Sequence, residues 1–418
     1  MSFNRAIVVG AGLAGLSAAV RLVEAGKAVT IADSAAQAGG RCRSYHDPQL
    51  GLTIDNGNHL VLAGNQAVAR FRKTIGATTE LAGPDHADFA FADLGDETRW
   101  TLRLNDGPLP LWVLIKGRRV PGTSVADYLS LGRLLAGKAS ETVGARVPTV
   151  GAVWRKLLEP VLLAILNTPP DKGSAKLTAN VIKESLLKGG KASLPRIAEP
   201  TLAAAFIDPA TQWLAAHGAP VALGRRLRAI ETDDDRVTAL DWGAGPEPVA
   251  ADEAIVLAVP PWVASALLPE LTVPDAFHAI VNAHFACSPP AGAPAMLGLL
   301  GTTAHWLFAF PDRISVTVSA ADDIVDLDRA VLAERFWDEI QRAYGFTAPL
   351  PAWQIVKEKR ATFSATPEQD AKRPPAATRW RNLFLAGDWT QTGLPATIEG
   401  ALRSGETAAK LAIEAKHG

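Results

Sequence analysis

The stretch Ala6-Ile7-Val8-Val9-Gly10-Ala11-Gly12-Leu13-Ala14-Gly15 decides the fold of this chain. It begins with a short apolar run that is rich in β-branched residues, and glycines follow at once. The segment from Leu16 to Ala25 has the composition of a helix, and Gly26 follows as its C-cap. Strand, tight turn and helix in this order predict a Rossmann-type α/β fold that binds a dinucleotide.

Each glycine of the turn has a physical task. Gly10 permits the turn, Gly12 lets backbone amides approach a pyrophosphate, and Gly15 lets the helix pack close to the strand. Leu13 and Ala14 open the helix, whose positive end faces the phosphates, so they are predicted cofactor contacts as well. The alternative is that the glycines form an ordinary turn.

A carboxylate follows the second predicted strand. This strand, Ala28 to Ala32, ends at Asp33, about 20 residues past the glycines, where an acidic side chain accepts hydrogen bonds from ribose hydroxyls. A carboxylate at this position also repels the 2′-phosphate of NADP. Asp33 therefore strengthens the dinucleotide interpretation over the ordinary turn.

The sequence Gly39-Gly40-Arg41 favours FAD over NAD. The two glycines put an arginine where its guanidinium could reach pyrophosphate oxygens, although a surface loop with a solvated arginine is the alternative. Much later in the chain, Asp252 to Pro260 has the pattern of a buried strand that would complete the nucleotide sheet.

The carboxyl-terminal region supplies a second half of the same predicted site. A strand, Asn382 to Ala386, leads into Gly387-Asp388, and Asp388 is expected to accept from a ribityl hydroxyl or to bind the pyrophosphate through water. The last helix then begins near Ala396-Thr397-Ile398. Its positive N-terminus would stabilise negative charge on reduced flavin. An ordinary closing helix capped by Thr397 is the alternative.

Length, charge and cysteine content limit the possible classes of protein. The chain has 418 residues, too many for one core, and its 42 basic and 43 acidic residues show no footprint for nucleic acid. Two cysteines, Cys42 and Cys287, cannot form a disulfide framework, and no metal site is predicted. No signal-peptide pattern precedes the first strand, so the cytoplasm is the expected compartment.

The nucleotide elements divide the chain into alternating pieces. We predict an FAD-binding domain from residues 1–75, 205–285 and 376–418, and an inserted α+β cap domain that binds substrate, from residues 76–204 and 286–375. The first insert is expected to be largely helical. The second is expected to form strands at 295–300, 305–311 and 314–320 and a helix at 328–344 that Gly345 ends.

The segment Leu109 to Ile115 allows two interpretations. It is apolar and is followed by Lys116, Arg118 and Arg119, a composition that would suit docking on an anionic bilayer. A buried strand followed by a hairpin is the alternative. No stretch of the sequence has the length and apolarity of a membrane span.

Together these motifs carry a family resemblance. The amino-terminal glycines, Gly39-Gly40-Arg41 and Gly387-Asp388 resemble the amine oxidase and phytoene desaturase superfamily over most of the chain. The segments Asp55 to Leu60, Leu163 to Pro170 and Gly387 to Gly400 resemble the squalene-associated FAD-dependent desaturases. Tyr45, Tyr128 and Tyr344 all lie outside the carboxyl-terminal segment, where amine oxidases usually have a tyrosine beside the flavin, and this argues against amine oxidation.

The resemblance implies a reaction. Members of this family act as hydroxysqualene dehydroxylases in hopanoid synthesis: hydride from reduced FAD reaches an allylic carbon of hydroxysqualene while the hydroxyl leaves as water, giving squalene. The departing hydroxyl needs a proton, and Asp55 and His59 are the catalytic candidates, with a purely structural turn as the alternative. Asn167 is expected either to orient the hydroxyl or to cap a helix. Gly57, Asn58, Leu227 and Val259 are further expected FAD contacts.

The cofactor and the partners follow from the same resemblance. FAD should be bound non-covalently because the carboxyl-terminal segment has no cysteine for a thioether link. The reductant is not identified by the sequence, and NADPH is one candidate. A squalene-like substrate would hardly exist free in water, so it is expected to arrive from the inner face of a membrane or from an upstream isoprenoid synthase, and to enter a long apolar pocket. An oxidative carotenoid-type desaturase or isomerase and a non-catalytic isoprenoid carrier are the alternative functions.

Overall fold

The computed structural model describes residues 3–415, and strands and helices alternate along much of this range. The strands are β1 (Arg5–Val9), β2 (Ala28–Ala32), β3 (Ser44–Asp47), β4 (Leu52–Asp55), β5 (Leu60–Leu62), β6 (Leu81–Ala82), β7 (Asp88–Asp93), β8 (Thr98–Arg103), β9 (Pro195–Ala198), β10 (Val221–Ala222), β11 (Ala229–Thr232), β12 (Val237–Asp241), β13 (Pro246–Pro248), β14 (Glu253–Leu257), β15 (Phe277–Phe285), β16 (Met296–Leu300), β17 (Trp306–Ala309), β18 (Ile314–Val318), β19 (Trp353–Phe363) and β20 (Leu383–Leu385). The α-helices are α1 (Leu13–Glu24), α2 (Gln66–Thr74), α3 (Glu159–Leu166), α4 (Ala175–Glu184), α5 (Asp208–Ala216), α6 (Pro261–Leu267), α7 (Arg329–Tyr344), α8 (Pro367–Ala371) and α9 (Ile398–Glu414).

The predicted nucleotide sheet is present and is built from distant segments. Its five strands lie in the order β10-β2-β1-β14-β20, and every neighbouring pair is parallel. The residues of β14 and β20 are almost all buried, as expected for strands covered on both faces. The prediction of a Rossmann-type α/β fold is confirmed, and β1, α1, β2, β14 and β20 lie where the sequence predicts them.

The first and last long helices cross at very close range. A Cβ atom placed on Gly405 of α9 would lie 2.2 Å from the carbonyl oxygen of Ala14 in α1. Nearby, the hydroxyl of Ser17 donates to the carbonyl of Leu402 at 2.9 Å. The absence of a side chain at Gly405 therefore lets the carboxyl-terminal helix pack directly against the helix that follows the glycine turn.

A seven-stranded sheet forms the second layer of the molecule, in the order β19-β15-β18-β17-β16-β7-β8. Helix α7 contributes buried residues such as Phe336 and Ile340 to the apolar cluster of this sheet. Asp328 caps α7 by accepting from the amides of Ala330 and Val331, and Gly345 ends the helix at φ +71°. The three strands and the helix predicted for residues 295–345 are confirmed.

The expectation that residues 76–204 are largely helical is only partly correct, because four strands, β6 to β9, lie in this range. Strands β7 and β8 form an antiparallel hairpin there, and β7 joins the cap sheet by pairing in parallel with β16. Burial alternates from residue to residue in β8, as in a half-buried strand, but β7 shows no such alternation. Strand β15, which we predicted within the nucleotide segment, also belongs to the seven-stranded sheet. The domain limits themselves stay a prediction.

The segment Leu109 to Ile115 is not a buried strand. Residues Leu111–Leu114 and Lys116–Arg118 form 3₁₀ turns, and Leu109, Leu111, Leu114 and Ile115 are exposed. The strand interpretation was wrong because Trp112 alone of the run is buried, so the apolar composition does not reflect burial. Among the described residues, no helix is both long and apolar enough to cross a membrane.

We expect Gly405→Ala to lower the free energy of unfolding by about 1–3 kcal/mol, because the new methyl group would collide with the main chain of α1. This loss would exceed the gain of helix propensity from replacing glycine. Urea unfolding followed by circular dichroism measures the change. Gly132→Ala is the matched control, since no atom lies within 4 Å of its added Cβ. Equal stability of the Gly405 variant and the wild type would contradict the packing argument.

Candidate functional site

The glycine turn after β1 has the geometry of a phosphate cradle. A Cβ atom on Gly10 would lie 2.4 Å from the carbonyl oxygen of Ala258, and one on Gly15 would lie 1.8 Å from the carbonyl oxygen of Gly10. Gly12, by contrast, has no neighbouring atom within 4 Å of such a Cβ. The turn is therefore closed on its protein side and open beside Gly12, where a pyrophosphate would approach.

The N-terminus of α1 is available to an anion. Gly12 is the N-cap, no side chain caps the helix, and its first turn contains no acidic residue. Leu13 and Ala14 supply the first amides of this turn. These amides and the positive end of the helix provide what a pyrophosphate requires.

Asp33 lies at the end of β2, beside this turn. Its carboxylate accepts from the amide of Ala11 at 2.6 Å and from the amide of Ala35 at 2.8 Å. Each oxygen takes one of these hydrogen bonds and keeps a lone pair for a ribose hydroxyl. The position of Asp33 thus fits the role that the sequence predicts.

The two ends of the chain meet through Arg41. Its guanidinium donates to Asp388 at 2.7 Å and to the carbonyl of Ala361 at 2.7 Å. Gly39, with φ +108°, forms a parallel bridge with Gly12 and so holds the arginine loop against the glycine turn. Two groups that we predicted separately as cofactor ligands therefore contact each other.

The Gly387-Asp388 loop is fixed by side chains that the sequence analysis missed. Ser404 of α9 accepts from the amide of Gly387 at 2.8 Å, and the fully buried Arg373 donates to the carbonyl of Asp388 at 3.0 Å. Arg373 also pairs with Asp370 at 2.9 Å. It lies in the run Lys372-Arg373-Pro374-Pro375, whose composition indicates a surface loop, so no sequence signal marks it as buried.

One apolar cluster lies at the carboxyl ends of the nucleotide strands, and three predicted FAD contacts belong to it or pack against it: Leu227, Val259 and Ala396. Thr397 caps α9 by accepting from the amide of Gly400 at 3.0 Å, which leaves the first amides of Ile398 and its neighbours directed outward from the helix. Among the strand residues of this cluster are Val9, which ends β1, and Leu257, which ends β14.

Gly57 and Asn58 lie on the cap side of the site. A Cβ atom on Gly57 would lie 3.0 Å from the side chain of Asn282 in β15. The amide group of Asn58 donates to the carbonyl of Val316 at 3.2 Å and to the hydroxyl of Thr317 at 3.0 Å. Its side-chain oxygen is buried and has no partner, which leaves an acceptor for a donor group of a cofactor.

Asp55 is held as a structural anchor. Its carboxylate accepts from the hydroxyl of Ser44 and from the amide of Leu202 at 2.9 Å, and it is almost completely buried. Burial raises the pKa of Asp55 to about 6, although these hydrogen bonds act in the opposite direction. These contacts favour the structural interpretation of Asp55 over the catalytic one.

His59 lies nearer to the Arg41-Asp388 contact. The main chain of Arg41 and the charge of Asp388 act to raise the pKa of His59, but stronger effects outweigh them. Burial, together with the charge of Arg41, lowers the pKa of His59 to about 4, so its imidazole is neutral at neutral pH. His59 can therefore exchange hydrogen bonds with a ligand but does not store a proton as imidazolium.

Asn167 and Cys42 have structural roles. Asn167 ends α3 in the left-handed conformation, and its amide bridges Ala320 at 2.6 Å and Thr362 at 2.9 Å, so the capping interpretation is favoured. Cys42 is buried, and burial raises the pKa of its thiol to about 12. It is a packing residue and not a reactive thiol.

A family model described as flavin containing amine oxidoreductase matches residues 13–413. The hydroxysqualene dehydroxylase of Zymomonas mobilis is 49% identical over 97% of this chain and 98% of its own length. That of Rhodopseudomonas palustris is 51% identical over 98% of each chain. This chain belongs to the flavin-containing amine oxidoreductases, within the hydroxysqualene dehydroxylase family. It is an FAD-dependent oxidoreductase.

The fold of this family member is also found in solved structures. Cyclohexylamine oxidase from Brevibacterium oxydans superimposes with a TM-score of 0.71 over 99% of both chains. The sequence identity between the two is 17%, so this likeness concerns the fold alone. The two chains therefore share one overall fold over nearly their whole lengths.

A cavity of about 20 Å³ adjoins Arg41 and Asp388 and is also lined by Trp262, Phe277 and Arg360. Pockets for drug-sized ligands span roughly 300–1,000 Å³, so this cavity is too small for a long isoprenoid. The long apolar pocket that we expected therefore stays a prediction.

We expect Arg41→Ala to weaken FAD binding by roughly tenfold or more, because Asp388 would remain buried without its cationic partner. The ratio of flavin to protein absorbance after gel filtration, together with titration calorimetry of FAD, measures the loss. Arg43→Ala is the matched control, since the Arg43 side chain donates only to the carbonyl of Gly40. Unchanged FAD affinity of the Arg41 variant would show that the contact does not support the cofactor site.

Asp55→Asn is expected to flatten the pH dependence of stability between about pH 4 and pH 6. The folded state raises the carboxyl pKa above its unfolded value, so ionisation of Asp55 lowers the unfolding free energy as pH rises through this window, by roughly 3 kcal/mol. Urea unfolding at a series of pH values, compared with wild type, checks this.

Asp47→Asn is a control that should change the pH dependence of the unfolding free energy in the opposite direction. Although burial acts against it, hydrogen bonds from Gln354, Leu50 and Gln49 lower the pKa of Asp47, so its contribution to stability is lost as pH falls. An Asp55 variant whose stability follows the wild-type pH profile would contradict the anchoring role.

Proposed function

We propose that this protein removes the allylic hydroxyl of hydroxysqualene reductively and forms squalene, a step that serves hopanoid or other triterpenoid synthesis. The observation that carries the proposal is the near-complete alignment, at about half identical residues, with two proteins named hydroxysqualene dehydroxylase. The contact between Arg41 and Asp388, made by both halves of the predicted cofactor site, supports it.

The proposed reaction balances with one two-electron donor. FAD, when bound and reduced, supplies a hydride equivalent. At the substrate, the allylic C–O bond breaks and a C–H bond forms, and the hydroxyl leaves as water after gaining a proton. The electrons must come from a further reductant, either a nicotinamide dinucleotide such as NADPH or another flavoprotein.

We infer that the FAD contacts are those predicted from the sequence and that the cofactor is not covalently linked. The glycine turn and Asp33 would hold the adenosine and pyrophosphate, while Asp388 and the start of α9 would lie at the ribityl and flavin end. The full set is Gly10, Gly12, Leu13, Ala14, Gly15, Asp33, Gly39, Gly40, Arg41, Gly57, Asn58, Leu227, Val259, Gly387, Asp388, Ala396, Thr397 and Ile398.

His59 is our candidate for the contact with the departing hydroxyl. A neutral imidazole has one N–H that donates and one ring nitrogen that accepts. Since the ring is neutral at rest, we propose that its N–H donates to the departing hydroxyl and passes this proton to it as the C–O bond breaks, while the other ring nitrogen takes up a proton from solvent. Asp55 remains the second candidate, although its contacts favour anchoring.

Substrate delivery follows from solubility. At ~0.8 kcal/mol per buried CH₂, an isoprenoid of about thirty carbons would gain roughly 20 kcal/mol on leaving water. A bilayer interior and an apolar protein pocket are similar solvents, so transfer between them is nearly neutral. We therefore propose that the enzyme acts at the inner face of a membrane or receives substrate from an upstream isoprenoid synthase.

The alternative functions differ in the experiment that would reveal them. An oxidative desaturase or isomerase would turn over a polyene with oxidised flavin, and a carrier would be colourless when purified. The two relatives of about 50% identity are named for neither alternative.

We expect photoreduced protein, incubated anaerobically with hydroxysqualene, to form squalene while its flavin is reoxidised. Lipid mass spectrometry and the flavin absorbance measure both products. His59→Gln should keep its flavin and lower the rate at least tenfold, because the hydroxyl loses its hydrogen-bond partner. Asp55→Asn is the comparison variant that should retain turnover. Conversion of phytoene by the oxidised protein, with no effect on hydroxysqualene, would overturn the proposal.

A further inference from the structure

Five large apolar side chains lie exposed together on one surface. This leucine patch consists of Leu109, Leu111, Leu114, Ile115 and Leu129, whose exposed fractions range from 48% to 74%. The segment that carries the exposed Leu186 and Leu187 meets the start of the patch segment, since the amide of Gly190 donates to the carbonyl of Asn105 at 2.9 Å. Contiguous exposed apolar surface of this kind marks a site that contacts another apolar surface.

The patch is held in place by its own structure. Trp112 and Tyr128 turn inward and contact each other edge to face at 5.5 Å, and the hydroxyl of Tyr128 accepts from the amide of Val120 at 3.0 Å. Asn105 accepts from the amide of Trp112 at 3.1 Å and donates to the carbonyl of Leu109 at 2.8 Å. Because these inward anchors fix the two segments, the leucines between them are directed to solvent.

A basic rim surrounds the patch. Residues 105–138 and 186–191 contain seven basic and two acidic residues, whereas the whole chain has a net charge of −1. The acidic residues are Asp106 and Asp127, and Asp127 is bonded to Ser124. Within the described part of the chain, Lys116, Arg118 and Lys188 form no salt bridge with an acidic side chain, so their charge is available to a partner.

We propose that the leucine patch docks on the surface of a bilayer that contains anionic lipids. Apolar side chains within a rim of lysine and arginine match the acyl region and the phosphate region of such a membrane. A second copy of the chain fits less well, because a two-fold contact through this patch would bring the two basic rims together. The inference depends on this surface alone and not on the identity of the substrate.

Flotation of the FAD-loaded protein with vesicles tests the proposal. We expect binding to phosphatidylcholine vesicles that contain phosphatidylglycerol, and much weaker binding without it or at high salt. The double variant Leu111→Glu and Leu114→Glu and the double variant Lys116→Glu and Arg118→Glu should each bind at least tenfold more weakly.

The control variant makes the same kinds of substitution, an apolar and a basic residue each replaced by Glu, on helix α7 outside the patch. Val331 and Arg335 are exposed on α7, so Val331→Glu with Arg335→Glu should leave binding unchanged. Flavin content and circular dichroism verify that each variant is folded.

Two results would overturn the inference. One is equal binding of the patch variants and the wild type. The other is no vesicle binding together with a dimer, detected by sedimentation velocity, that the leucine substitutions dissociate. Turnover of detergent-dispersed hydroxysqualene separates this inference from the proposed function. Normal flotation without turnover would count against the reaction alone, and turnover without flotation would count against the patch alone.

Discussion

The ion pair between Arg41 and Asp388 joins residues that are 347 positions apart in the chain, and the candidate site depends on it. Arg41 lies in the loop after β2 and Asp388 in the loop after β20. The pair can form because β2, β1, β14 and β20 are successive parallel strands of one sheet, so both loops leave the same edge. The close crossing of α1 and α9 at Gly405 holds the last helix against the helix that follows the glycine turn. A fold assembled from such distant segments can form its cofactor site only after the last helix is in place.

Sequence reasoning predicted the parts of this fold whose cause is local. The turn at Gly10 requires a glycine, and β14 is a short run of apolar residues, so both can be recognised without neighbours. The hairpin of β7 and β8 depends instead on pairing with β16, a strand about two hundred residues later, and its own pattern is too short to reveal that. The exposure of Leu111 and Leu114 is likewise decided by Trp112, which takes the buried position.

The same distinction holds for the candidate site. Asp33, Arg41 and Asp388 lie in recognisable motifs, and the structure brings the last two into contact. Arg373 has no motif and became a support of the site only because the chain folds over it. The protonation of Asp55 and His59 could not be predicted either, because burial by distant segments is the first cause of both pKa shifts. Sequence motifs therefore identify candidate site residues, whereas burial and neighbouring charges determine the protonation state of each.

The leucine patch and the cofactor site are connected through one apolar cluster. Leu129 lies on a 3₁₀ helix, Val125–Ala136. Leu134 of the same helix is buried in one cluster with Val9 and Leu257, the last residues of β1 and β14. The side chains of a close-packed cluster cannot shift independently, so the cluster keeps the elements that contribute to it in a fixed arrangement. If the patch lies against a bilayer, the orientation of the carboxyl edge of the nucleotide sheet relative to that bilayer is then fixed as well. The rigid cluster therefore gives a physical reason for the patch to lie on this insert: it would hold the candidate site at a constant distance from the source of an apolar substrate.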